Sequence, residues 1–207
     1  RYAGESVESK LSRIRKAMGE QGAGVHLLAS LDDVAWTFNI RGGDIAYNPV
    51  ALAYGAITLQ EAMLFIDETK VSREDRQKLE KSGVQLRGYE EIYAYAKGLT
   101  GETVLLDPGK TNCRLYGLAK EGNTLVEAYN PSMLLRAVKN ETELDNLRRA
   151  HIQDGVAVTR FMFWLKNTVG TQPLTEVDAA EKLYEFRKEG EGFLGESFAT
   201  IAAYGPN

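Results

Sequence analysis

Val50–Asp67 reads VALAYGAITLQEAMLFID, two apolar runs interrupted by a pair of polar residues. Each run has the length of a strand and is rich in apolar residues, so Val50–Leu59 and Ala62–Asp67 are expected to form a hairpin around Gln60-Glu61. The turn pair is not the favoured Asn-Gly type. What surrounds the hairpin decides the fold class. On its N-terminal side Val7, Leu11, Ile14 and Met18 recur at i, i+4, i+7 and i+11, one face of a helix that Ser6 can cap and Gly22 or Gly24 can end. The apolar run Val25–Ser30 follows as a strand. Ser30 and Asp33 then stand at capping-box spacing ahead of Val34, Ala35 and Phe38, which predicts a second helix, broken by Arg41-Gly42-Gly43-Asp44. On the C-terminal side Ser72 with Asp75 opens a helix to about Lys81, closed by Gly83. A strand over Val84–Arg87, a helix over Glu90–Leu99, a strand over Thr103–Asp107, a short helix from Thr111 and a strand over Leu125–Tyr129 complete the series. Strands separated by helices of about ten residues imply an α/β domain over residues 1–135, a mixed, largely parallel sheet covered by helices.

After Asn130-Pro131 the pattern changes. Asn140 and Glu143 form a capping box, and Leu144, Leu147, His151, Val158, Met162 and Leu165 share one helical face, with Gly155 in the missing place. That predicts a helix of about 25 residues, about 38 Å long. Asn167–Pro173 reads as a loop. Thr175 and Asp178 box a further helix on which Val177, Ala180, Leu183 and Phe186 face one way, stopped by Gly190. Ser197–Tyr204 reads as a strand. Two helices and one strand cannot close a core, so residues 136–207 are expected to be part of a larger domain.

Composition narrows the function classes. The 207 residues carry 25 Lys and Arg against 29 Asp and Glu, a formal charge of −4 with the signs interspersed, which offers no bulk attraction for nucleic acid. No apolar run approaches the length of a membrane span, and no signal-peptide pattern opens the chain at Arg1-Tyr2. A single cysteine, Cys113, builds no disulfide framework and points to the cytoplasm.

Several motifs look chemical. Gly109-Lys110-Thr111 follows a strand and opens a helix, as a phosphate loop does, but Val104 stands where that loop needs its first glycine, and a turn with a helix cap is the better reading. Gly19, Gly22 and Gly24 lie between a helix and a strand, the reverse of the dinucleotide fingerprint. Asn140-Glu141-Thr142 is a glycosylation sequon in which Asn140 serves as a cap. Of the two histidines, His26 lies in an apolar strand and reads as a core residue. His151 and Asp154 are neighbours at i, i+3, yet two groups make no metal site. No nucleophile with a positioned base is discernible. By its residues alone the chain carries no recognisable active site.

Resemblance goes further. Leu31–Val50, LDDVAWTFNIRGGDIAYNPV, is similar to the middle-domain signature of the three-domain aminopeptidases P, which release an N-terminal residue that precedes proline. The similarity continues through Phe65-Ile66-Asp67, AVKNETELDNLRRAHIQDGVAVTRFMFWL (Ala137–Leu165), TEVDAAEKLYEFRKE (Thr175–Glu189) and FLGESFATIAAYGPN (Phe193–Asn207), and Arg1–Met18 resembles the opening of that middle domain. Creatinases and proline dipeptidases share the architecture; W-x-F-N-x-R-G-x-D from Trp36 to Asp44 favours aminopeptidase P. The resemblance implies a creatinase N-terminal-type domain over 1–135 and, over 136–207, the first part of a pita-bread catalytic domain. It also implies a parent enzyme that hydrolyses short peptides with proline in second position, uses two divalent metals, manganese, and forms a homodimer. In that family the ligands, histidines and carboxylates, follow Gly-Pro-Asn, so this chain alone is expected to hold no metal and to be inactive. The alternatives are a non-catalytic module serving association, a small-ligand-binding α/β domain, or a dipeptidase or creatinase-type parent. Trp36, Arg41 and Asp44 are the candidate cleft residues: Gly42 and Gly43 let the chain turn so that Arg41 can pair with Asp44, either as a structural clamp or as a wall that confines short peptides.

Overall fold

The computed structural model describes residues 2–206; Arg1 and Asn207, the ends of two of the similar segments, lie outside the described residues. The chain packs as two compact units. One comprises Ala3–Ile45 and Pro49–Lys139; the other comprises Tyr2, Ala46–Asn48 and residues 140–206.

The first unit begins with α1 (Val7–Glu20), where Ser6 Oγ accepts from the Ser9 amide and all four periodic residues are buried. Gly22 stops it in the left-handed region at φ 68°. Then come β1 (Val25–Leu28), α2 (Leu31–Thr37), β2 (Ala53–Thr58), β3 (Ala62–Ile66), α3 (Arg73–Lys81), β4 (Val84–Gly88), α4 (Glu91–Gly98), β5 (Thr103–Leu106), α5 (Cys113–Lys120), β6 (Thr124–Glu127) and α6 (Pro131–Ala137). The six strands form one sheet in the order β4-β3-β2-β1-β5-β6. β2 runs antiparallel to β1 and β3 and every other neighbouring pair is parallel, so the mixed, largely parallel sheet is as expected. The β2–β3 hairpin forms without a favoured turn pair because Thr58 Oγ1 accepts from the amides of both Gln60 and Glu61.

Alternation along the strands splits the core in two. Leu28, Ile57, Leu64, Ile66 and Leu105 pack with α1, α2 and Leu79 of α3. Val25, Leu27, Phe65, Val104 and Leu106 pack on the other face with Ile92 of α4 and Leu115 of α5.

The helix ends of this unit differ from the local reading. Ser30 precedes α2 but its side chain makes no capping bond, and the Asp33 carboxylate that would supply the reciprocal arm of the box is turned inward. The helix after Thr111 starts at Cys113, capped by Asn112. α6 was not anticipated; Pro131 at its first turn, where no amide donor is needed, starts it.

In the second unit α7 runs over Glu141–Thr168 behind an Asn140–Glu143 capping box, so Asn167 and Thr168 are helical rather than loop. Of the expected face Leu144, Val158 and Leu165 are half-buried while Leu147, His151 and Met162 are exposed, and the packed stripe is centred on Ala157, Phe161, Trp164 and Thr168. α8 (Glu176–Lys188) starts at a Thr175–Asp178 box. Arg187 Nε donates to Asp154 at 2.7 Å and the Arg160 guanidinium lies 4.5 Å from the Phe186 ring centre, joining the two helices. Val177 is exposed, off the packed face. No strand forms over Ser197–Tyr204: an apolar segment becomes a strand only where another edge satisfies its amides, and none pairs with it among the described residues.

Candidate functional site

The candidate residues lie at the end of α2, where Trp36 stands, and in the irregular segment that leaves it, where Arg41 and Asp44 stand. The segment leaves α2 through Asn39, whose φ of 53° is left-handed, a conformation uncommon outside glycine. Lys10 of α1 holds it there. Its Nζ, on a side chain buried to 1 % exposure, donates to Asn39 Oδ1 at 2.6 Å and to the Trp36 carbonyl at 2.8 Å, 4.4 Å from the centre of the Trp36 ring. Asn39 Nδ2 in turn donates to the Glu5 carbonyl at 2.9 Å. Trp36 is thus half-buried beneath the Lys10 ammonium.

Beyond Asn39 the loop runs beside residues 49–52. The Gly42 amide donates to the Pro49 carbonyl and the Asp44 amide to that of Val50, both at 3.2 Å. A Cβ on Gly42 would lie 2.8 Å from the Ala51 Cβ, so only glycine fits this approach.

The expected Arg41–Asp44 pair does not form. Asp44 accepts from Lys70 Nζ and from the Leu52 amide, each at 2.8 Å, and these bonds, the Lys70 one foremost, hold its carboxyl below the usual range. The same bond pushes the Lys70 ammonium up. A primary ammonium beyond β3 reaches Asp44 without straining the turn, and Arg41 is left exposed, its Nη1 donating to the Ile40 carbonyl at 2.8 Å. Arg41 and Asp44 both line a groove of about 600 Å³; Trp36 does not.

Sequence reasoning missed a tyrosine knot on the opposite sheet face. The Tyr54 hydroxyl lies 3.3 Å from that of Tyr93 and accepts from Asn112 Nδ2 at 3.0 Å, with the Tyr89 ring 5.1 Å away centre to centre. Burial first, then these phenols, pushes the Tyr54 hydroxyl up. The spacing of Tyr89 and Tyr93 was the available signal; their partner Tyr54 is too distant in sequence to show one.

The remaining chemical-looking residues are accounted for locally. The Asp107 carbonyl accepts from Lys110 N, Thr111 N and Thr111 Oγ1, and Asp107 Oδ1 from Gly109 N, so the amides a phosphate would need are already bonded. His26 is fully buried with Nδ1 3.0 Å from the Leu105 carbonyl and Nε2 without a partner among the described residues. Asp154 pairs with Arg187, and His151 is exposed. Among the described residues no group of three or more His, Cys, Asp or Glu side chains is placed to hold a metal, and no helix is long and apolar enough to cross a membrane.

Comparison with known proteins supplies what this geometry lacks. The family model described as Creatinase/Prolidase N-terminal domain matches residues 1–143. A protein of Sordaria macrospora named "Probable Xaa-Pro aminopeptidase P" is 37 % identical over all of this chain and 36 % of its own length; one of that name from Neurospora crassa is 38 % identical over all of the chain and 32 % of its own. The chain therefore spans about a third of the curated relatives it matches. Among solved structures, the X-prolyl aminopeptidase of Caenorhabditis elegans, described as a cytosolic enzyme with a di-nuclear active site, superposes with a TM-score of 0.90 at 27 % identity. That match covers 97 % of this chain and 34 % of the other. A Xaa-Pro dipeptidase of Bacillus anthracis, at 17 % identity and a TM-score of 0.63 over 89 % of this chain and 49 % of its own, shares the fold.

Proposed function

The chain belongs to the creatinase/prolidase N-terminal domain family, and from that premise we propose that it is the middle portion of a metal-dependent Xaa-Pro aminopeptidase. Identity of 37–38 % across the whole chain, not only across the family domain, is the observation that carries this reading. The W-x-F-N-x-R-G-x-D loop and the higher structural similarity to the aminopeptidase than to the dipeptidase favour an aminopeptidase parent.

In this reading residues 1–135 form the creatinase-type domain and 136–207 the first helices of a pita-bread catalytic domain. Among the described residues no cluster of donors for two metals is placed together; in our proposal two divalent metals, manganese, are held by other parts of the parent protein. The substrates are short peptides with proline second, and the parent is a cytoplasmic homodimer. What this chain contributes is support: a sheet that carries the Asn39–Asp44 loop, which we assign as the peptide-facing wall. Arg41 is its contact group, with Trp36 and Asp44 holding the loop in shape.

The test uses the full gene product with manganese, offered a tripeptide Xaa-Pro-Xaa and a dipeptide Xaa-Pro. Release of the N-terminal residue from the tripeptide, abolished by a chelator, is expected. Cleavage of the dipeptide alone would make the parent a dipeptidase, and cleavage of neither would leave a non-catalytic module.

A further inference from the structure

The groove beside Arg41 is a built site with one cation left over. Its apolar lining is the half-buried Ile40 and Val71 over the buried Phe38, Leu64, Ile66 and Leu79, and its volume of about 600 Å³ lies in the range of small-ligand pockets. Three cationic side chains line it: Arg41, Lys70 and Lys78. Lys70 is 2.8 Å from Asp44, and Lys78 is 2.8 Å from Glu74 and 3.7 Å from Asp75. Among the described residues no carboxylate pairs with Arg41, whose one bond, to the Ile40 carbonyl, leaves most of its five N–H donors free. The backbone that carries it is fixed on both sides, by Lys10 on Asn39 and by the close contact of Gly42 with Ala51. A guanidinium on a fixed backbone beside an apolar floor suits a single planar anion attached to an apolar group. The other rim charges are neutralised in place, so a dianion or an acidic run finds no second cation.

We propose that this groove binds the carboxylate end of a short peptide, its α-carboxylate on Arg41 and its apolar last side chain against Ile40 and Val71. The α-carboxylate chemistry follows from the groove; that a peptide rather than a free amino acid supplies it rests on the peptidase reading above. Such a site would let the parent protein sense the far end of a short substrate or retain a released product.

The probes are acetyl-Ala-Leu with a free carboxylate, the same peptide as its C-terminal amide, and free leucine. They are titrated into the 207-residue chain while its backbone amide resonances are followed. The acid should shift Ile40–Asp44 and Leu79 and bind at least tenfold more tightly than the amide. Arg41→Gln should bring the acid down to the level of the amide. Melting, followed in parallel, should not change, because the Arg41 side chain is exposed. Equal binding of acid and amide, or no saturable shift with either, would overturn the site. Free leucine binding as tightly as the acid would overturn the peptide source. Should the full gene product cleave no Xaa-Pro peptide while acid-selective binding persists, the peptidase reading fails and the groove stands.

Discussion

Arg136 Nε donates to Asp33 Oδ1 at 2.9 Å across 103 residues of chain, tying α6, the last helix of the first unit, to α2. Asn130 Nδ2 donates to the other oxygen of Asp33 at 3.0 Å. The Asp33 side chain is 3 % exposed and that of Arg136 34 %, so the carboxylate is the buried partner and the guanidinium keeps some water. A buried carboxylate is tolerable only with such partners, because desolvation otherwise opposes its charge.

Asp33→Ala should therefore cost about 2 kcal/mol, the scale of a lost charge-assisted bond with a partly hydrated partner left behind. Urea denaturation of Asp33→Ala, Arg136→Ala and the double variant forms a cycle that isolates the pair. Additive losses would show that Asp33 acts through Asn130 alone.

The same carboxylate shows where local reading stopped working. Ser6, Ser72, Asn140 and Thr175 cap helices as their neighbours suggest, because the partner amide lies within three residues. Ser30 has the same spacing with Asp33 but makes no cap, and the carboxylate that would complete the box is recruited by Asn130 and Arg136 from far along the chain. The site behaves likewise. Asp44 was legible as a loop-holding group, but its partner Lys70 lies 26 residues on, and proximity in sequence pointed to Arg41 instead. The sheet was legible because strand and helix patterns alternate. The edge needed to make Ser197–Tyr204 a strand lies nowhere in those residues.

His26 makes stability depend on pH. Burial lowers its pKa below 6.5, partly opposed by the Leu105 bond and the Asp33 charge, so the folded state holds it neutral. The unfolded chain then binds the proton more readily. The stabilising contribution is complete above pH 6.5 and is lost as pH falls below it, by at most about 1.4 kcal/mol per pH unit. Melting temperatures from pH 7.5 to 5 should fall more steeply for the native chain than for His26→Asn. Parallel curves would assign the acid sensitivity to other groups.

Gly42 and Gly43 should respond unequally to alanine. At Gly42 the new methyl meets Ala51 Cβ at 2.8 Å and its backbone N and Cα at 2.9 Å, which cannot swing away; at Gly43 nothing lies within 4 Å. Gly42→Ala should cost about 1–3 kcal/mol, the scale of overpacking, and Gly43→Ala a few tenths. Equal costs in chemical denaturation would mean that the loop moves freely off Ala51.

Lys10 couples the core to the groove. Replacing it with Met fills similar space but leaves Asn39 Oδ1 and the Trp36 carbonyl without their buried donor, a loss of about 2–4 kcal/mol. Asn39 then has less reason to keep φ 53°, and the loop that presents Arg41 should relax. Lys10→Met should thus weaken acetyl-Ala-Leu binding even where the chain remains folded, measured at a temperature well below its melting. Asn39→Gly separates the two effects. It removes the side-chain bonds yet adopts the left-handed conformation without a Cβ penalty, so it should lose stability while keeping more of the binding than Lys10→Met does. If both variants bind the acid as the native chain does, the Lys10–Asn39 contact serves folding only.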